Sequence, residues 1–305
     1  MEGSYDHAAG APRDYRKSLK TAIIVTFLFL VVEVAGGFLA GSLALVSDAG
    51  HMFSDVLALL LALVALVLAE ELPTPERTYG YHRAEIFAAF VNALLLIAVS
   101  VVLLYEAWQR MQNPAPVAGG LMLLVAVIGL AVNAGVVWLL HGSSSLNVRS
   151  AFLHVVGDTV SSVGVIAGAV WITITGQSIV DPLLSFVITV VIIVTAVRIL
   201  RETVTILLQF TPPSVDFDAV VADMTSVSGV DGVHHVHLWS LCSDINVLDA
   251  HVYSCERDVS RIEAIKREIK ERLKKYSILH STLEFECEEC KECSVVGPVG
   301  NHSQE

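Results

Sequence analysis

The sequence predicts an α-helical membrane protein with six transmembrane helices, followed by a cytosolic α+β domain. Three observations predict it. First, of 305 residues 54% are hydrophobic and only 16% charged, where a soluble domain carries about a quarter charged residues. Second, the apolar excess lies between about residue 20 and residue 210, in blocks long enough to cross a bilayer. Third, the remaining C-terminal residues have ordinary soluble composition, which points to a second domain.

The N-terminal residues are polar and lead directly into a spanning segment, so no cleavable signal peptide is expected. The apolar blocks fall at 19–39, 43–68, 86–108, 118–140, 151–174 and 179–208. Asp181 followed by Pro182 reads as an N-cap with proline at the first helical position, which sets the start of the sixth helix. The expected organisation is a cytosolic tail at 1–18, a six-helix transmembrane domain at 19–210, a cytosolic metal-binding domain at 211–287 and a cysteine-containing tail at 288–305. Basic residues set the orientation. Arg13, Arg16, Lys17 and Lys20 lie in the N-terminal tail, Arg77 and Arg83 between the second and third blocks, Arg149 between the fourth and fifth, and Arg198 and Arg201 near the end of the sixth. The opposite loops hold little beyond Arg110. Both termini are therefore expected in the cytoplasm, in a multi-pass protein of the plasma (inner) membrane.

The C-terminal domain reads helix, strand, strand, helix, strand. Residues 216–228 are weakly helical, 233–241 and 246–254 alternate like paired strands, and 257–276 is an amphipathic helix with Ile262, Ile265, Ile269 and Leu273 on its apolar face. A short strand at 282–286 closes a small α+β sandwich. The formal net charge of -12 comes largely from this part and argues against a nucleic-acid partner. All five cysteines, Cys242, Cys255, Cys287, Cys290 and Cys293, lie outside the apolar blocks. In a cytosolic domain they stay reduced, which favours metal binding over disulfides.

His51 and Asp55 are four apart on the second helix, and His154 and Asp158 are four apart on the fifth. Residues at that spacing share one helical face. The offset between the two pairs is 103 residues in both cases (154 minus 51, 158 minus 55), which hints at an internal repeat. Two such faces opposed supply four ligands of N2O2 type, the coordination number zinc prefers. An ionisable side chain in a spanning helix is costly unless paired or hydrated, so four in matched pairs are hard to explain as packing. The competing reading is a buried hydrogen-bonded network that only joins two helices. Asp48 lies three residues before His51. It reads either as a carboxylate orienting a ligand imidazole or as a hydrated acid in the access path. Asn133 reads as a polar contact between helices. Ser47, Ser54 and Ser161 are candidates to line the same cavity.

A second constellation is cytosolic. His234, His235 and His237 fall on the first strand, His251 on the second, His280 before the third and Glu286 at its end. Adjacent strands can gather a subset of these into one or two zinc sites. Cys287, Cys290 and Cys293 follow at a spacing that can clamp a soft metal, the alternative being a flexible reduced tail. This tail follows the last strand and is not expected to be needed to complete the fold. His82 is a lone histidine beside a helix start and reads as structural unless the C-terminal domain docks against it.

At these residues the chain resembles the cation diffusion facilitators, a family of zinc-type efflux transporters. The matching stretches are SLALVSDAGHMFSD at 42–55, YGYHRAE at 79–85, HVVGD at 154–158 and VHHVHLWSL at 233–241. The resemblance spans about residues 17–286. It implies a homodimer joined by cytosolic ferredoxin-like domains, and metal efflux driven by proton antiport. The family's intramembrane site carries over to His51, Asp55, His154 and Asp158, and its regulatory cytosolic site to His234, His251, His280 and Glu286. Histidine in the first pair resembles the zinc-selective branch. One departure is the loop between the fourth and fifth helices, which holds a single histidine, His141, where many relatives have a His-rich run.

The expected activity is export of a divalent cation, Zn2+ first and Cd2+ or Co2+ as alternatives, from the cytosol by alternating access. Zinc would also be the ligand of the regulatory site. Protons compete with metal for His and Asp, and histidines titrating near neutrality would couple efflux to proton entry. A non-transporting membrane metal sensor is the alternative. An intramembrane metalloenzyme is disfavoured because four protein ligands leave no open position for a substrate.

Overall fold

The structure is a computed structural model that describes residues 13–68, 74–140, 147–243, 245–287 and 294–297. Within its helices the side chains of 13–19, 58, 62, 65–68, 137–140 and 147–160 lie outside the description. Six long helices come first: α1 (Arg13–Ala40), α2 (Leu43–Leu68), α3 (His82–Gln112), α4 (Gly119–Leu140), α5 (Asn147–Thr175) and α6 (Val180–Leu207). On their described residues five of them, all but α5, are long and apolar enough to cross a membrane. The described apolar part of α5 is Ser161–Thr175, within a helix of 29 residues. At about 1.5 Å rise per residue that length exceeds a bilayer core of about 30 Å. The chain divides into two compact units, the first running to Arg201 and the second from Glu202 onward, with His82–Phe87 assigned to the second.

In the first unit, α1, α2, α4 and α5 share one apolar core built on Phe29, Leu45, Met52, Met122, Val125, Val165 and Ala169. Leu96 of α3 packs with Ile192 and Ala196 of α6. Ile24, Phe27, Leu28, Val102 and Val194 point outward, each about half exposed or more. A surface this apolar is stable only where lipid covers it. Trp108 and Trp171 are exposed near the C-terminal ends of α3 and α5, the amphipathic rings expected at a headgroup layer. Two helix ends use glycine at positive φ, Gly41 (67°) and Gly176 (72°), where a Cβ would be strained. The turn at Gly41 joins α1 directly to α2, and its carbonyl accepts from Arg110 Nη1 of α3 at 2.7 Å.

The start of α6 falls within one residue of its expected position, but Asp181 does a different job from the one its sequence suggests. It lies in the first turn of α6, fully buried. Its carboxylate accepts from Leu43 N (2.7 Å), Ala44 N (3.2 Å) and Ser42 Oγ (2.5 Å). It therefore caps α2, satisfying N–H groups that the first turn of any helix leaves open. A chain of buried hydroxyls continues the α2–α6 seam: Ser47 Oγ lies 2.7 Å from Ser185 Oγ, and Thr189 Oγ1 donates to Ser47 at 3.4 Å.

The second unit holds α7 (Phe217–Thr225), β1 (Gly232–Ser240), β2 (Asn246–Tyr253), α8 (Val259–Leu273) and β3 (Ile278–Glu286). This is the helix–strand–strand–helix–strand order of the ferredoxin-like domain expected from the sequence, with β3 starting four residues earlier than its composition suggests. The sheet has order β1-β2-β3, antiparallel between β1 and β2 and parallel between β2 and β3. One face packs on the helices through Val220, Met224, Val236, Leu248, Ala250, Val252, Ile265, Ile269 and Leu273. Asp216 and Asp258 cap α7 and α8. Lys275 and the Tyr276 hydroxyl both donate to Asp223, joining α7 to the end of α8 and holding the Asp223 carboxyl below the usual aspartate range.

Candidate metal sites

A small cavity of about 10 Å³ lies among α1, α2 and α4, lined by Phe29, Glu33, Asp48, His51, Met52, Asp55, Gly129 and Asn133. That is room for about one water-sized occupant. Three of its polar groups come from α2, where Asp48, His51 and Asp55 recur at helical spacing and so share one face. Ser161 Oγ of α5 donates to Asp48 Oδ1 at 2.6 Å. Of the other serines singled out in the sequence, Ser54 accepts from Asn92 Nδ2 at 3.2 Å and Ser47 belongs to the α2–α6 seam. His154 and Asp158 sit on the helix α5, and their side chains lie outside the described residues. Glu33 was missed by the sequence reading. It is 2% exposed on α1 and contacts Asp48. The signal was available, since an acid within an otherwise apolar spanning block is a functional candidate on cost alone.

The second unit presents its own cluster. Val233, Val236 and Leu238 of β1 face the helix-covered core, across an irregularity in the strand between His234 and His237, and His234 lies on the opposite face of the sheet. His234 stands directly across from His251, and Glu286 ends β3 beside them. Glu286 reaches both: Oε2 is 3.1 Å from His234 Nε2, and Oε1 is 2.5 Å from His251 Nδ1. One ligand atom from each of the three residues lies within 4.8 Å of the others. Glu284 Oε2 adds a contact to His251 Nε2 at 3.6 Å. Such a set, two imidazoles and a carboxylate on rigid strands, matches what zinc takes.

Of the remaining sequence candidates, His280 pairs in register with Val247. It is exposed, and it stands four positions along β3 from Glu284. At about 3.3 Å per residue the strand itself holds it away from the cluster. His237 stands opposite Asp249. His82 is the exposed first residue of α3. Cys287 is exposed and immediately follows Glu286, while Cys290 and Cys293 lie outside the described residues. The tail is not simply appended, as the sequence suggested. His235 N donates to Ser294 O (3.3 Å) and Val236 N to Val295 O (2.8 Å), so residues beyond the cysteines pair with the free edge of β1.

Two family profiles match this chain. "Cation efflux transmembrane domain" matches residues 19–208, and "Cation efflux protein, cytoplasmic domain" matches residues 212–286. The chain belongs to the cation efflux family. This is the cation diffusion facilitator family that the motifs resemble, a family of membrane transporters and not an enzyme class. Among sequence relatives of this cation efflux protein, a "Zinc transporter ZitB" of Pectobacterium atrosepticum is 42% identical over 90% of this chain and 86% of its own length. A "Cadmium, cobalt and zinc/H(+)-K(+) antiporter" of Bacillus subtilis is 36% identical over 93% and 92%. A "Metal cation efflux system protein CzcD" of Cupriavidus metallidurans is 39% identical over 95% and 91%.

Proposed function

We propose that this cation efflux protein exports zinc, with cadmium and cobalt as further substrates, from the cytosol in exchange for protons. The cargo site is His51, Asp55, His154 and Asp158. The observation that carries this reading is the hydrogen bond from Ser161 to Asp48. Asp48 precedes His51 by three residues and Asp55 by seven; Ser161 follows Asp158 by three and His154 by seven. Spanning helices joined by short loops alternate in direction, so α2 and α5 run antiparallel. Anchored at Asp48 and Ser161, that pairing sets His51 level with Asp158 and Asp55 level with His154. In this reading the four residues, two levels one helical turn apart, supply two imidazole nitrogens and two carboxylates, whose charge would balance that of a divalent ion.

Efflux follows from competition. Imidazole and carboxylate bind metal only when deprotonated, and an ordinary histidine titrates at about 6.5. A site opened to a more acidic side exchanges its metal for protons, and reorientation returns the protons inward. The cytosolic His234–His251–Glu286 cluster reads as regulatory, in a homodimer joined through these domains with both termini cytoplasmic. Glu33 and Asn133, in the same cavity, would complete the hydration or hydrogen bonding of the ion.

The test is metal uptake into inside-out vesicles with an imposed pH gradient. His51→Ala, Asp55→Ala, His154→Ala and Asp158→Ala should each reduce zinc transport to below about a hundredth of the parent rate, because an incomplete shell does not offset desolvation of the ion. Parent-like transport by any two of the four variants sinks the assignment. Metal binding without uptake by the intact protein would favour a sensor.

A further inference from the structure

We propose that His235 is a fourth protein ligand of the cytosolic site, closing a His3Glu shell around a zinc-type divalent cation. This rests on reading His234, His251 and Glu286 as a metal site.

Consecutive residues of a regular strand point to opposite faces. With Val233 in the core and His234 on the outer face, His235 would enter the hydrophobic core. A β-bulge prevents this. His234 pairs with His251 and His237 with Asp249, so His235 and Val236 together oppose the single residue Ala250. The extra residue adopts φ 48°, a left-handed conformation uncommon for a side chain of this size and costly to hold. Val236 and Leu238 thereby regain the core, and His235 joins His234 on the outer face, 9% exposed. Bulges re-aim side chains next to functional sites, and here the re-aimed side chain is an imidazole beside two others.

The spacing of the three rings fits a shared ion. Centroids lie 5.4 Å apart for His234–His235, 5.3 Å for His234–His251 and 5.3 Å for His235–His251. Imidazoles on one tetrahedral zinc, with Zn–N near 2.0–2.1 Å, place their centroids about 5.2 Å apart. The three donor atoms within 4.8 Å of one another come from His234, His251 and Glu286. Rotation about the Cβ–Cγ bond of His235, a broad torsion, turns a ring nitrogen toward them and leaves its centroid in place. The resulting shell has no open position. It suits a resident ion that braces the domain and not one in transit.

Cobalt binding to purified full-length protein in detergent tests this. Tetrahedral Co2+ absorbs strongly in the visible, and difference spectra against the parent cancel metal held elsewhere in the chain. His235→Asn is the informative variant, since asparagine tolerates positive φ; His235→Gly, which adopts it freely, serves if the first variant does not fold. His234→Ala should remove one tetrahedral cobalt per chain. His235→Asn should keep the stoichiometry, weaken cobalt and zinc binding about 100-fold, and shift the band to the weak absorption of a higher-coordinate, hydrated ion. Loss of the site in His234→Ala with parental affinity and spectrum in His235→Asn overturns the proposal and leaves the site standing. Parental spectra in both variants overturn the proposal and the site together.

Discussion

At the scale of single residues, the chemistry is concentrated in side chains whose position is expensive. His51 and Asp55 were legible because a histidine and an acid four apart in an apolar helix have no cheap explanation. His234, His251 and Glu286 were legible only as a surplus of ligand-type residues, and which of them meet is a matter of strand register. His234 lies across from His251, while His280 lies across from Val247. The same logic gives a selectivity prediction for the proposed cargo site. His51→Asp converts an N2O2 set into a harder NO3 set, so preference should move from zinc and cadmium toward manganese. A competition assay in vesicles reads this out, and an unchanged preference order would show that ligand type does not set selectivity.

At the scale of elements, the six apolar blocks and the order of the C-terminal domain follow from composition and periodicity, because burial in lipid or in a two-layer core imposes a pattern on local sequence. Links between elements are not local and left no such pattern. Asp181 reads as the cap of its own helix, yet its carboxylate is held by Ser42, Leu43 and Ala44 of another. Asp181→Ala should strand these buried N–H groups and cost about 2–3 kcal/mol, lowering the thermal midpoint of the detergent-solubilised protein. Asp181→Asn, which keeps an acceptor oxygen, should recover part of the loss. Equal midpoints for the parent and the alanine variant would remove Asp181 from the α2–α6 seam.

At the scale of the whole molecule, the tail is the instructive case. It follows the last strand and looked dispensable, but Ser294 and Val295 accept hydrogen bonds from His235 and Val236 on the edge of β1. Deleting residues 294–305 should leave the maximal transport rate largely intact and make those two amides exchange rapidly with solvent, since an unprotected strand edge opens at little cost. Slow exchange at both positions in the truncated protein would show that the edge does not depend on the tail. The sequence by itself determined that the chain spans a membrane six times, carries a C-terminal α+β domain and concentrates residues of metal-ligand type in both parts, because hydrophobicity, periodicity and residue type are properties of short stretches. Only the tertiary structure decided that Ser161 meets Asp48, that Asp181 caps α2, that Glu33 faces the cavity and that His235 turns outward beside His234. Each of those depends on the register between segments far apart in the chain, and register is set by packing the whole core.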